Sequence, residues 1–176
     1  MYLLTHLDSR HGEVMTAHLL ALCPDDRADR FMAMVSDDYV RRYVDGIGYG
    51  TDILIGAVQG RRLVGLAHAA VYLDHAGLAA EVGVSVHASA RRQGVGRLML
   101  VTAIEAARRV DARRVVVVFR AANQAMAALT RSVGGCIERN ATESSAVFEV
   151  SNGPDLPLRT MRDVCSSEAL RGMYAH

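Results

Sequence analysis

The stretch Glu81-Val-Gly-Val-Ser-Val-His87, followed by Arg91-Arg-Gln-Gly-Val-Gly-Arg97, decides how this chain folds. Strict alternation places three valines on one face of an extended segment and Glu81 with small or polar neighbours on the other. The apolar period then becomes that of a helix ending at Arg109, with a predicted inward stripe of Leu98, Met99, Thr102, Ala103 and Ala106. The pattern therefore predicts a strand, a glycine turn and a helix, in that order.

The glycine turn at the start of this helix predicts an anion-binding site. Backbone N–H groups in the first turn of a helix have no partner within the helix, and glycine lets a ligand approach them closely. The spacing does not fit a dinucleotide fingerprint, because Met99 stands where the third glycine is required. The Lys-Ser/Thr pair of a P-loop is also absent. The pattern that remains is Arg91-x-x-Gly94-x-Gly96.

This pattern resembles the Arg/Gln-x-x-Gly-x-Gly/Ala signature of the GCN5-related N-acetyltransferases, the GNAT superfamily, in which the turn wraps the pyrophosphate of acetyl-coenzyme A. A second motif, running from Asn123-x-x-Met126-x-x-Leu129 to Gly134-Gly135, is similar to the family's helix after the fifth strand. The resemblance implies that acetyl-CoA, the acyl donor, is bound by residues of both motifs: Val84, Ser85, Val86, Arg91, Arg92, Gln93, Gly94, Val95, Gly96, Arg97 and Asn123. A helix N-cap is an equally good role for Asn123.

The predicted element order, β-α-α-β-β-β-α-β-α-β-β, is similar to that of the GNAT family over about residues 2–150. The apolar run Val115–Val118 lacks alternation, which predicts a mid-sheet strand that is buried on both faces. The resemblance implies an α/β (α+β) GNAT fold. Its mixed, mostly antiparallel sheet would have about seven strands, with parallel fourth and fifth strands, and about four flanking helices. Residues 1–150 would form the acetyltransferase domain, and residues 151–176 a C-terminal extension with a linker and a further helix.

The chemistry of acyl transfer to an amine requires a base. An alkyl ammonium has a pKa of about 10.4 and becomes a nucleophile only after losing a proton. Glu81 is the only glutamate between Val14 and Met99, and the resemblance gives the glutamate of the fourth strand the role of general base. A backbone N–H near Ser85 would stabilise the oxyanion. Where the family has a tyrosine that protonates the leaving thiolate, this chain has Thr130, so the acid stays open, with water as a candidate.

A third resemblance concerns the acceptor. The segment Cys23-Pro-Asp-Asp-Arg27-x-x-Arg30-Phe31 is similar to one in bacterial Pat-type protein lysine acetyltransferases. It implies transfer to a primary amine, first of all a protein lysine such as one on an acyl-CoA synthetase. Two alternatives stay open: a small-molecule amine (polyamine, amino sugar or antibiotic) as acceptor, and a non-catalytic module that senses acyl-CoA. From the residues alone, Arg27 and Arg30 would pair with nearby aspartates at the surface.

Composition predicts one domain, since the chain has 176 residues, 51% of them hydrophobic and 22% charged. The net charge is only +1, but its distribution is uneven. Residues 23–52 hold seven aspartates and four arginines, whereas residues 88–120 hold eight arginines and two acidic residues. A basic half suits a polyphosphate and an acidic half suits a cationic amine. Nucleic acid is not an expected partner, because the charge is nearly balanced and only 5% of residues are aromatic.

Neither a membrane-spanning apolar run nor a signal-peptide pattern occurs in the sequence, which predicts a cytoplasmic protein without a membrane partner. A homodimer stays open. No metal site is expected, because neither the three cysteines nor His68, His75 and His87 have the spacing of a metal signature.

Overall fold

The structure is a computed structural model that describes residues 2–150. Its strands are β1 (Leu3–His6), β2 (Ile53–Gln59), β3 (Arg62–Asp74), β4 (Gly77–Val86), β5 (Arg114–Arg120), β6 (Cys136–Arg139) and β7 (Glu143–Glu149). Its α-helices are α1 (Gly12–Leu20), α2 (Pro24–Phe31), α3 (Asp37–Asp45), α4 (Val95–Arg109) and α5 (Gln124–Ser132). Short 3-10 helices cover Ser9–His11 and Ala88–Ala90. The predicted C-terminal extension, residues 151–176, lies outside the described residues.

The seven strands form one mixed sheet in the order β1-β2-β3-β4-β5-β7-β6. Every neighbouring pair is antiparallel except β4 and β5, which run parallel. β5 lies between β4 and β7, and Val115 and Val117 are fully buried in it. The sheet class, the parallel pair and the mid-sheet position of the valine-rich strand are therefore confirmed.

The two faces of the sheet carry different helices. The larger core cluster lies under α4 and includes Val82, Val84 and Met99. The smaller cluster lies under α1 and α3 and includes Leu19 and Leu66. Because side chains alternate along a strand, Glu81, Gly83 and Ser85 of β4 face the α1–α3 side, where Ser85 contacts His18 of α1. The carboxylate of the predicted base is thus on the side opposite α4.

One helix more than expected is present. The predicted order has four helices, whereas the structure adds α2 between α1 and α3 and so has five. Pro24 at the first helical position and Asp25 and Asp26 in the first turn favour this start, since the fixed φ of proline and negative charge both suit a helix N-terminus. α2 ends where Met32 adopts a left-handed conformation, with φ 62°.

The predicted inward stripe of α4 is partly wrong. Met99 and Ala103 are buried as expected, but Leu98 is 49% exposed, and Thr102 and Ala106 are only partly covered. The residues that pack on the sheet are Val95, Met99, Leu100, Ala103, Ile104 and Ala107. Several adjacent rows of α4 are apolar, so periodicity alone did not decide which row would meet the sheet.

Across residues 2–150, no helix combines the length and the apolar character needed to cross a membrane.

Candidate active site

The parallel strands β4 and β5 separate part of the way along their length. They pair only from Ala79 with Arg114 to Glu81 with Val116, yet β4 continues to Val86 and β5 to Arg120. Beyond Glu81, the backbone of β4 that faces β5 has no strand partner. A strand edge with unpaired N–H and C=O groups can bind an extended ligand that carries amide groups. The pantetheine arm of coenzyme A, with its two amides, is such a ligand.

The glycine turn lies at the start of α4, one short 3-10 helix beyond the end of β4. Gly94 is the N-cap residue of α4, with φ 79°, and it provides no side-chain cap. Arg92 is also left-handed, with φ 60°. A 15-residue helix that starts without a side-chain cap directs its first N–H groups outward, where they can bind an anion. No atom lies within 4 Å of where a Cβ at Gly94 would be, so the space over the turn is open.

A cavity of about 440 Å³ connects the separated strand with the glycine turn. Nine of the eleven residues predicted to bind the coenzyme line it: Val84, Ser85, Val86, Arg91, Arg92, Gly94, Gly96, Arg97 and Asn123. The side chains of the other two point elsewhere. Gln93 accepts a hydrogen bond from the Tyr2 hydroxyl (2.6 Å), and Val95 is 3% exposed in the core.

Residues that were not predicted complete the cavity wall. They come from α1–α2 and from α5: Leu22, Asp26, Asp29, Arg30, Ala125, Met126, Ala128 and Leu129. Asp26 and Arg30 belong to the Pat-like segment, but no role in the site was predicted for them. In the wall, Asn123 also caps α5, since its side-chain oxygen accepts from the N–H of Met126 (2.9 Å). The cap role and the coenzyme-binding role are therefore compatible in space.

Arg91, the first residue of the signature, forms an ion pair across the cavity wall. Its Nη2 lies 2.5 Å from Oδ2 of Asp26, and its Nε donates to the carbonyl of Val86 (3.0 Å). Desolvation raises the pKa of Asp26, but hydrogen bonds from Arg91 and Cys23 outweigh it, and the pKa lies below its ordinary value. A phosphate that binds to Arg91 must therefore compete with a carboxylate already in place.

Two aspartates of the acidic segment, residues 23–52, are neutralised by arginines from outside it, in the pairs Asp26–Arg91 and Asp29–Arg120. Two more pair within the segment, as Asp37–Arg27 and Asp38–Arg41, and Asp52 contacts the imidazole of His68. Arg27 pairs with an aspartate, Asp37, as expected from the residues alone. Arg30 has no aspartate partner among the residues described. The segment is thus expected to attract a cationic acceptor only weakly.

Glu81 lies at the vertex where the two strands separate, because its pairing with Val116 is the last one of the parallel ladder. Its side chain is exposed, and it is not part of the cavity wall. The protein around it nevertheless withdraws enough water to raise the pKa of this carboxyl above its ordinary value, while the charge of Arg30 opposes the rise. A solvent-accessible carboxylate with a raised pKa is suited to accept a proton.

The hydroxyls of Thr130 and Ser85 both form hydrogen bonds within the protein, so neither is a free proton donor. Thr130 is fully buried, and its Oγ1 donates to the carbonyl of Met126 (3.0 Å) within α5. Ser85 lines the cavity, and its Oγ is 2.9 Å from Nε2 of His18. Since Nδ1 of His18 faces the carbonyl of Leu63 (3.3 Å) and donates to it, Nε2 accepts from Ser85. Burial lowers the pKa of His18 to about 4, so this imidazole is too weak a base to activate the serine.

Within residues 2–150, no group of three or more His, Cys, Asp or Glu side chains is arranged to hold a metal ion.

Comparison with known proteins points to one family. The model of the Acetyltransferase (GNAT) family matches residues 17–134, which is more than half of the chain. No curated protein matches the sequence. The GNAT domain of S. lividans PAT superposes with a TM-score of 0.69 at 18% identity, over 83% of this chain and 89% of that one.

Two further solved structures share the fold. A ribosomal-protein-alanine N-acetyltransferase from Brucella melitensis has a TM-score of 0.66 at 20% identity, covering 84% of this chain and 99% of that one. A putative acetyltransferase from Salmonella typhimurium, solved with its cofactor acetyl-CoA, has a TM-score of 0.66 at 16% identity, covering 94% of this chain and 99% of that one. At these identities the likeness establishes the shared fold, and acceptors do not carry over.

Proposed function

The chain belongs to the GNAT family of acetyltransferases, with acetyl-CoA as the cosubstrate, and from that premise we propose that it transfers acetyl to a primary amine by direct attack, with Glu81 as the general base. The observation that supports this proposal is that three structural features follow one another along β4 and into α4. A glycine turn at a helix N-terminus leads to the unpaired edge of β4, and that edge leads to a carboxylate at the vertex of the two strands.

Each feature has a place in the reaction. The first N–H groups of α4 would hold the pyrophosphate, with added positive charge from Arg91 and Arg92, and residues 84–86 of β4 would pair with the pantetheine amides. A backbone N–H near Ser85 would donate to the thioester oxygen as it becomes an oxyanion. Glu81 would take the proton of the attacking ammonium, directly or through a water molecule. The carbon–nitrogen bond then forms to give the oxyanion, and the nitrogen loses its second proton to solvent. Collapse of the oxyanion breaks the carbon–sulfur bond, and the coenzyme leaves as a thiolate.

No side-chain acid is assigned to the thiolate. Thr130 uses its hydroxyl within α5, and Ser85 uses its own toward His18. A thiol has a pKa of about 8.5, so the thiolate is a fair leaving group that solvent can protonate. We therefore propose water as the acid.

For the acceptor we propose a protein lysine first, on the strength of the Pat-like segment Cys23–Phe31. A small-molecule amine is the second candidate. A cytoplasmic location and an acyl-CoA synthetase as partner belong to the same proposal. The chain has 20 arginines and no lysine, so a labelled lysine in any assay belongs to another protein.

The test combines labelled acetyl-CoA with a panel of acyl-CoA synthetases and, separately, with polyamines and amino sugars. Label on specific synthetase lysines, found by mass spectrometry, supports the lysine acceptor, and label on free amines alone supports the second candidate. Glu81→Gln should retain coenzyme affinity and lose turnover, most severely at low pH, where fewer amine molecules are unprotonated. Equal turnover of parent and variant from about pH 6 to 9 would remove Glu81 as the base.

A further inference from the structure

Arg30 of α2 lies directly against the backbone of β4 at Gly83. A Cβ at Gly83 would be only 2.6 Å from Cζ of Arg30, so the guanidinium occupies the space that any other residue type would fill. Gly83 is two positions from Glu81 and on the same face of the strand, about 7 Å further along it. The arginine charge is therefore held two residues along the strand from the proposed base, on the side that leads into the coenzyme cavity, which Arg30 also lines.

A chain of hydrogen bonds fixes the other side of the guanidinium. Nη2 of Arg30 donates to the Tyr43 hydroxyl oxygen, and the Tyr43 hydroxyl lies 2.5 Å from Nδ1 of His68. Nε2 of His68 lies 2.9 Å from Oδ2 of Asp52. Because a carboxylate only accepts, Nε2 of His68 carries the proton and Nδ1 accepts from Tyr43. All three hydrogen bonds thus run in one direction, from the arginine to the aspartate.

The far end of this chain is anchored to the backbone. Asp52 accepts from the N–H groups of Gly48 (3.1 Å) and Val71 (3.2 Å). Burial lowers the pKa of His68, with Asp52 opposing, and the net effect keeps the imidazole neutral at pH 7. Neutral His68 is the form that Tyr43 requires as an acceptor.

No carboxylate neutralises Arg30 within the described part of the chain. Its remaining contacts are aromatic, with Cζ 5.1 Å from the ring centre of Phe31 and 5.2 Å from that of Tyr43. In contrast Arg27, on the same helix, pairs with Asp37 at 2.6 Å. A cation that is partly desolvated, immobile and unpaired acts more strongly on a nearby carboxylate than an exposed one does.

We propose that Arg30 is a positioning residue for the catalytic base: locked between Gly83 and the Tyr43–His68–Asp52 chain, it keeps the neighbouring Glu81 carboxylate ionised. This inference rests on the proposed role of Glu81. It also explains why a glycine stands at position 83, since a side chain there would displace the cation.

The side chains that neighbour Glu81 on β3 and β5 do not take the place of Arg30 in keeping Glu81 ionised. Its direct neighbours across the sheet are Ala70 on β3 and Val116 on β5, which carry no charge. The further ionisable groups on that face of the neighbouring strands are His68, Tyr72, Asp74, Arg114 and Arg120. Arg114 pairs with Asp74, and Arg120 pairs with Asp29 of α2. Burial alone would raise the pKa of Glu81, and Arg30 counteracts it. Loss of Arg30 should thus raise the pKa of Glu81, and the base would be lost to protonation at a higher pH.

The decisive experiment is a carbon-13 NMR titration of the glutamate carboxyl carbons in the full chain without coenzyme, with the Glu81 signal identified by its absence in Glu81→Gln. In Arg30→Met we expect the Glu81 midpoint to rise by up to roughly one pH unit, as for loss of a nearby opposite charge. Arg27→Met is the matched control on the same helix and should leave the midpoint unchanged. An unchanged midpoint in Arg30→Met, with a parent-like circular dichroism spectrum, would overturn the proposal.

Two variants test whether Arg30 must be held in place, and both keep its positive charge. Gly83→Ala places a methyl group where the guanidinium lies, and Tyr43→Phe removes the hydroxyl that holds Nη2. Both should shift the Glu81 midpoint upward by less than Arg30→Met does. If both folded variants keep the midpoint of the parent, the effect of Arg30 does not depend on Gly83 or on the Tyr43 hydroxyl, which contradicts the proposal.

Kinetics separate this inference from the proposed function. The acidic limb of the kcat/KM profile should move upward in Arg30→Met in step with the NMR midpoint. If the midpoint moves while Glu81→Gln keeps the pH profile of the parent, Arg30 still controls the ionisation of Glu81. In that case the assignment of Glu81 as the base fails instead.

Discussion

If Arg91 binds the coenzyme phosphates as we propose, replacing Asp26 with asparagine should tighten the binding of acetyl-CoA, because it removes the carboxylate that competes for Arg91. The two side chains meet at 2.5 Å, and their exposed fractions are 42% for Arg91 and 25% for Asp26. Ion pairs with this much solvent access contribute roughly 0.2–1 kcal/mol. Asp26→Asn removes that competing energy and one negative charge from the cavity wall.

The free energy converts directly into affinity. Since about 1.4 kcal/mol corresponds to a factor of ten, the dissociation constant should fall by between ~1.5-fold and ~5-fold. The gain should shrink as salt is added, because ions screen a partly exposed pair. Lowering the pH until Asp26 is protonated should give the parent the same gain, and this requires a pH below the ordinary aspartate range, because the pKa of Asp26 is lowered.

Isothermal titration calorimetry with acetyl-CoA measures the effect at low and high salt. Asp38→Asn is the matched control, since it removes the same charge from an exposed pair with Arg41, 3.8 Å long and outside the cavity wall. In an Arg91→Met background, Asp26→Asn should give no gain beyond that of the control. An affinity that is unchanged or weaker in Asp26→Asn than in Asp38→Asn would refute the competition.

Three further predictions concern the turn, the core and a buried histidine. Gly94→Val should weaken acetyl-CoA binding as measured by calorimetry, because it crowds the open, left-handed turn over the cavity. Gly134→Val, at a left-handed position (φ 86°) outside the cavity wall, should lower stability and leave the affinity alone. Met99→Ala should reduce the free energy of unfolding in urea by about 2–5 kcal/mol, because Met99 is fully buried, whereas Leu98→Ala on the exposed side of α4 should cost well under ~1 kcal/mol. His18 has a folded-state pKa lowered to about 4, so the unfolded chain binds its proton first as the pH falls below the ordinary value of 6.5. The free energy of unfolding should therefore fall by about 3 kcal/mol between pH 6.5 and about pH 4. If His18→Gln shows the same fall as the parent, other groups cause it.

The local features of the site could be predicted because short stretches of sequence encode them. Alternation in β4 placed the valines in the core and Glu81 on the opposite face. The glycine spacing predicted a turn without side chains at the start of α4, and Asn123 was predicted as a cap. The strand ladder and helix geometry fix these positions within a few residues, so no distant part of the chain is needed.

The failures share a different cause. The inward stripe of α4 was misplaced at Leu98 because several rows of that helix are apolar, and only the docked sheet selects one. The partner of Arg91 was not predicted, and Arg30 was expected to pair with an aspartate but donates to Tyr43 instead. A long arginine side chain can reach several acceptors whose energies differ by less than about 1 kcal/mol, so the choice among them depends on where other elements lie.

The sequence by itself determined the fold, the glycine turn, the helix cap and the face of β4 that carries Glu81, since periodicity and turn chemistry act over a few neighbouring residues. Only the tertiary structure decided what surrounds them. Packing of α2 on β4 and β5 brings Asp26 to Arg91 and lays Arg30 on Gly83, and α3 brings Tyr43 to His68. These pairs join residues 25 to 65 positions apart. Their formation depends on a geometry that exists only once the helices have packed on the sheet.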